Sequence, residues 1–78
     1  MYKRSKTERI LCMYVRLCDG YVINKSHEAL AFNVNERTIQ RDIDDIRAFM
    51  SECTVEQIGA YKEIEYDRSK NGFVMKGA

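Results

Sequence analysis

Three residues, Asn33-Val34-Asn35, separate two segments that each carry helical periodicity. On the far side of them, Ile39, Ile43, Ile46 and Met50 recur at spacings of 4, 3 and 4. That is the stripe of a helix with one buried face. On the near side, Lys25 to Phe32 reads as a short helix with Asn24 as its N-cap. Asn33 suits the left-handed backbone that a tight turn between helices needs. Asn35 suits the cap of the next helix, and Glu36 in its first turn complements the helix dipole. The third helix is therefore expected from Glu36 to about Met50. Two helices joined so closely must cross, and that limits the architectures available to the chain.

The remaining segments fill in an order. "TERILCMYVRLC", residues 7 to 18, reads as a first helix with Ile10, Leu11, Tyr14, Leu17 and Cys18 toward the core. Ser5 and Glu8 form a candidate capping box, and Asp19-Gly20 closes the helix. Tyr21 to Ile23 is too short for a sheet of its own and is expected to pair with a distant hairpin. Residues 51 to 60 read as a half-turn or a loop ending at Gly59. The period then changes. "YKEIEYD" and "FVMK" flank the turn cluster "DRSKNG", whose Asn71-Gly72 is a hairpin signal. The fold class is thus α+β, a three-helix core with a C-terminal two-stranded β-hairpin, in one domain over residues 1–78.

Bulk properties narrow the function. The chain has 78 residues, 45% hydrophobic and 32% charged, with no Pro and a net charge of +1. Such a chain is globular rather than disordered. It has no apolar run near the ~20 residues of a membrane span, and "MYKRSKTER" lacks the apolar core of a signal peptide. Three cysteines, Cys12, Cys18 and Cys53, do not make a disulfide framework and fit a reducing cytoplasm. His27 has no Cys or second His at ligand spacing, so neither a metal site nor a cofactor is expected. Asp42, Asp44 and Asp45 cluster on one helix among arginines, whereas metal-dependent hydrolysis needs acids converging from several elements. An enzyme is not expected. Residues 1 to 25 carry six cations (Lys3, Arg4, Lys6, Arg9, Arg16, Lys25) against Glu8 and Asp19, which suggests a local positive face.

Two crossing helices on a short turn form a helix-turn-helix, whose second helix lays its N-terminal side chains in the major groove. Here the outward residues at that end are Glu36, Arg37, Thr38, Gln40 and Arg41. Arg pairs with guanine, Gln with adenine, and Thr with a thymine methyl or a phosphate. The alternative is a solvated helix whose charge pairs contribute ~0.2–0.5 kcal/mol each. The hairpin would act as a wing over about residues 62–76. Its tip carries Arg68, Ser69, Lys70 and Asn71, which suit the DNA backbone or minor groove.

"NERTIQRDIDDIR" and "EIEYDRSKNGFVM" resemble two segments of the DeoR-like winged helix-turn-helix that begins WYL-type bacterial transcriptional regulators, and "KTERILCMYVRL" resembles its first helix. The likeness covers nearly the whole chain. It implies sequence-specific double-stranded DNA binding in the cytoplasm, as a homodimer, with the ligand-sensing domain absent from this chain. It places Arg37, Thr38, Gln40 and Arg41 on the recognition helix, Asn35 at its cap where the family prefers Ser, and Arg68 and Lys70 on the wing. In "KSHEALAFNV", Glu28 stands where a core Leu is expected and Leu30 where a polar residue is. Either helix two is rotated or its packing is adjusted. For the dimer, the segment Ser51–Tyr61 or an exposed face of helix one bearing Met13 and Arg16 is the candidate surface. A winged helix that holds a protein partner is the rival reading, favoured by the acidic Asp42, Asp44, Asp45 cluster.

Overall fold

The computed structural model describes residues 5–53 and 62–77. The elements are α1 (Lys6–Cys18), α2 (Lys25–Phe32), α3 (Glu36–Cys53), β1 (Glu63–Asp67) and β2 (Gly72–Lys76). Three helices followed by an antiparallel hairpin are the α+β layout of a winged helix. Residues 54–61, where most of the expected loop falls, lie outside the described residues, but Ser51 to Cys53 continue α3 rather than leaving it.

Local chemistry sets the ends of the helices. Ser5 and Glu8 form the capping box: the Ser5 hydroxyl accepts from the Glu8 amide at 3.2 Å, and Glu8 accepts from the Ser5 amide at 3.0 Å. Gly20, at φ +90°, lets the chain leave α1. Asn24 accepts from the His27 amide at 3.0 Å and caps α2. Asn33 takes the left-handed backbone, φ 57° and ψ 50°, and the Val34 amide turns back to the Ala29 carbonyl at 3.0 Å. α2 thus ends where the asparagine allows it to, and α3 begins three residues later.

The core gathers Met13 and Leu17 of α1, Ile39, Ile43, Ile46 and Met50 of α3, and Ile23, Ala29, Ile64 and Phe73 from the other elements. The α3 stripe is as its spacing predicts. That of α1 holds in part: Leu17 is buried and Ile10 and Tyr14 pack against the core, but Leu11 and Cys18 do not. Met13 is fully buried, whereas Leu11 is 56% exposed and Cys18 stands in solvent. The helix is turned by about one residue from the orientation its apolar residues suggest. The reason is electrostatic. Arg9 points inward and forms a two-pronged pair with Asp42 of α3, its second nitrogen at 3.2 Å. Arg16 reaches Glu28 of α2 in the same manner, at 3.1 Å through one nitrogen. The Asp42 hydrogen bond raises the Arg9 pKa, and Glu28 raises that of Arg16, against the opposing effect of burial. Two ion pairs thereby fix how α1 sits on the other two helices.

The Arg16 pair also explains the unusual α2 sequence. Glu28 is buried because Arg16 neutralises it, and Leu30 is 82% exposed. The helix is not rotated; an ion pair takes the place of an apolar contact. Met13 is fully buried and Arg16 is half-buried in its pair with Glu28, so the two do not form an exposed face. The outward side of α1 carries Leu11, Val15 and Cys18 instead.

The hairpin register pairs Ile64 with Met75 and Tyr66 with Phe73. Ile23 joins it through an isolated antiparallel bridge to Phe73, with N–H···O distances of 2.8 and 2.7 Å. The short Tyr21–Ile23 segment therefore finds the distant partner it needs. Gly72 permits that approach: a Cβ there would stand 2.5 Å from a Val22 methyl and 2.9 Å from the Ile23 carbonyl oxygen.

The Asp42 carboxylate is 1% exposed and the Arg9 side chain 10%. Asp42→Ala is expected to destabilise the fold by about 3–5 kcal/mol, because it strands a buried cation. Asp45→Ala, on the same helix but half exposed in its pair with Lys6, should cost no more than about 1 kcal/mol. Urea unfolding of the two variants checks this, and equal costs would refute the inward role of Asp42.

Candidate nucleic-acid interface

The first turns of α3 sort their side chains by function. Asn35 accepts from the Thr38 amide at 2.8 Å and from the Thr38 hydroxyl at 3.0 Å. These two expected contact residues are thus engaged with each other as the helix cap. Glu36, Arg37 and Arg41 are exposed. Arg37 and Arg41 lie four residues apart, so they project from one side of the helix, opposite Ile39 and Ile43.

Six arginines fall among the described residues, and they divide evenly. Arg9 and Arg16 hold the helices together. Arg47 donates to the Ile64 carbonyl at 3.1 Å, lies 3.5 Å from Asp44, and places its guanidinium 5.3 Å from the centre of the Phe73 ring. It clamps the wing to α3. Arg37, Arg41 and Arg68 are exposed, and among the described residues their guanidinium groups have no hydrogen bond or ion pair. These three are among the residues for which the sequence suggests DNA contact. An exposed, unpaired guanidinium keeps all five donors for an outside acceptor.

The wing tip is an ordered turn. Asp67 accepts from the Ser69 hydroxyl at 2.6 Å, the Ser69 amide at 2.9 Å and the Lys70 amide at 3.3 Å. Chiefly the Ser69 hydroxyl, with the two amides, draws the Asp67 pKa below its ordinary value. Asn71 takes φ 53°. Its side chain accepts from the Tyr66 hydroxyl at 2.7 Å, and its carbonyl accepts from the Asn24 side chain at 2.7 Å. Asn24 so ties the start of α2 to the wing turn. Arg68 and Lys70 project from a turn held at both sides.

Gln40 is not free in the way that Arg37 and Arg41 are. Lys25 donates to its carbonyl oxygen at 3.1 Å, and its amide nitrogen donates to Asp44 at 3.1 Å. The sequence reading missed Lys25 and Asp44. The i, i+4 spacing of Gln40 and Asp44 was available as a signal, whereas the Lys25 contact crosses between helices and leaves none. The basic N-terminal face also needs correction, since Arg9 and Arg16 are turned inward and Lys6 faces Asp45; Lys3 and Arg4 lie outside the described residues. The acidic cluster is likewise divided, with Asp42 buried and Asp44 and Asp45 left on the surface.

No group of three His, Cys, Asp or Glu among the described residues is placed to hold a metal, and no described helix is long and apolar enough to cross a membrane. Arg37→Ala and Arg41→Ala should leave stability within about 0.5 kcal/mol of the parent, because neither guanidinium supports the fold. Asn35→Ala should cost about 1 kcal/mol through loss of the cap. Thermal and urea unfolding distinguish these roles, and a large loss in either arginine variant would assign it to the fold. No known protein family, curated protein or solved structure matches this chain.

Proposed function

We propose that this chain is a sequence-specific double-stranded DNA-binding domain of a bacterial transcriptional regulator, of the DeoR-like winged helix-turn-helix kind. The observation that carries the reading is the division of the arginines. Those needed by the fold are paired, while Arg37 and Arg41 on the first turns of α3 and Arg68 on the wing tip are left with open donors. In this reading α3 enters the major groove, Arg37 and Arg41 meet base edges, and Arg68 and Lys70 hold the backbone or minor groove. Glu36 beside them would repel phosphate and so favours a base-facing position. The cap formed by Asn35 and Thr38 sets where α3 starts, and therefore which residues reach the groove.

A dimer reading two half-sites is the working form in this proposal, with effector sensing in domains outside this sequence. The rival, a protein-binding winged helix, loses the continuous acidic cluster that favoured it, because Asp42 is buried in the Arg9 pair.

Fluorescence-anisotropy titration against duplex fragments at low and moderate salt tests the proposal. Selective binding that weakens steeply with salt is expected, as several cations displace counterions. Arg37→Ala and Arg41→Ala should each weaken specific binding by about 1–3 kcal/mol, and Lys70→Ala should weaken binding to all sequences alike. Full specific affinity in the Arg37→Ala, Arg41→Ala double variant would overturn the recognition-helix assignment. Salt-insensitive binding would point to a protein partner.

A further inference from the structure

The carboxamide of Gln40 is held from both ends by groups of opposite character. Lys25, at the start of α2, offers only donors; Asp44, one turn further along α3, offers only acceptors when ionised. The 3.1 Å contacts with Lys25 and Asp44 therefore suit one of the two flips of the amide and oppose the other. In the opposite flip, an NH2 would face an ammonium and an oxygen would face a carboxylate. Asp44 is steadied in turn by Arg47, which is anchored on the Ile64 carbonyl and the Phe73 ring. A continuous polar chain thus runs from the first turn of α2, across the outer side of α3, to the wing.

Neither contact exhausts Gln40. An amide oxygen has a second lone pair and an amide nitrogen a second hydrogen. What remains is one acceptor beside one donor, with their order fixed. In the major groove, adenine presents the complementary pair, the N7 acceptor beside the N6 donor, whereas guanine presents two acceptors, N7 and O6.

We propose that Gln40 reads an adenine in the target duplex and that Lys25 and Asp44 are positioning residues that set the donor–acceptor order of its amide. The inference rests on the DNA-reading assignment above and adds to it one base and two residues. Against guanine the fixed oxygen meets another acceptor, so discrimination comes from repulsion as well as from a lost bond. Freeing the amide lets it rotate, which weakens the preference at that one position and leaves the others alone.

The test is a base-substitution series. A duplex selected by the full chain from a random pool is varied one base pair at a time, and each variant is titrated at fixed salt. The wild type should prefer adenine at one position by about tenfold or more, and Gln40→Ala should flatten that preference alone. Asp44→Leu and Lys25→Met should each lower it several-fold, Lys25→Arg should retain it, and Asp44→Leu should add nothing to Gln40→Ala at that position. Overturning results are an unchanged preference in Asp44→Leu and Lys25→Met, or a change spread equally over every position, which is a simple charge effect. If Gln40→Ala keeps every preference while Arg37→Ala or Arg41→Ala loses one, DNA reading stands and this inference falls. If the wild type selects no duplex at all, both fall.

Discussion

The buried pair of Arg9 and Asp42 governs how this small domain is put together. A guanidinium does not lose its proton at any ordinary pH, so once α1 turns Arg9 inward the charge must be met there. Asp42 meets it with two oxygens, a geometry that fixes both the separation and the rotation of α1 against α3. Arg16 and Glu28 repeat the device between α1 and α2. Such pairs add less net stability than apolar groups of the same volume, since both ions lose water. Their effect is on orientation. A core of this size, with few large side chains, accepts several rotations of a helix at similar cost, and two forked ion pairs leave one.

Much of this architecture was legible in the sequence, and the illegible parts have a common cause. Asn24, Asn33 and Ser5 announced helix ends because capping is local chemistry, settled within a few residues. The Ile39, Ile43, Ile46, Met50 stripe announced the buried side of α3 because those residues have nowhere else to go. The rotation of α1 was misread because Leu11 and Cys18 look like core residues, and only the distant Asp42 explains why Arg9 displaces them. Glu28 looked misplaced for the same reason. The outward placement of Arg37, Arg41, Arg68 and Lys70 was legible from helix phase and turn chemistry. The engagement of Gln40 by Lys25 was not, since residues fifteen apart on different helices leave no pattern in the order of the chain.

The wing and the helices are one mechanical unit. Arg47 reaches from α3 to the Ile64 carbonyl, Asn24 from the start of α2 to the Asn71 carbonyl, and Ile23 bonds to Phe73 in both directions. A hairpin of two short strands is marginal in water when it stands alone. These cross-links, with Phe73 and Ile64 in the core, let the helical body order it. The tip residues and the first turns of α3 are therefore presented by a shared framework, which would lower the entropy cost of engaging one extended ligand with both.

The Ile23 bridge has a further consequence for how copies of this chain meet. By pairing with Phe73 it covers part of the far edge of β2, so among the described residues the longer unpaired edge of the hairpin belongs to β1. That edge strand carries Glu63, Glu65 and Asp67 within five residues, and Arg47 already occupies the Ile64 carbonyl. Two such edges brought side by side would oppose like charges along their length. Of the two described strands, the one with the longer unpaired edge is thus the one whose composition repels its own kind, a protection against edge-to-edge aggregation.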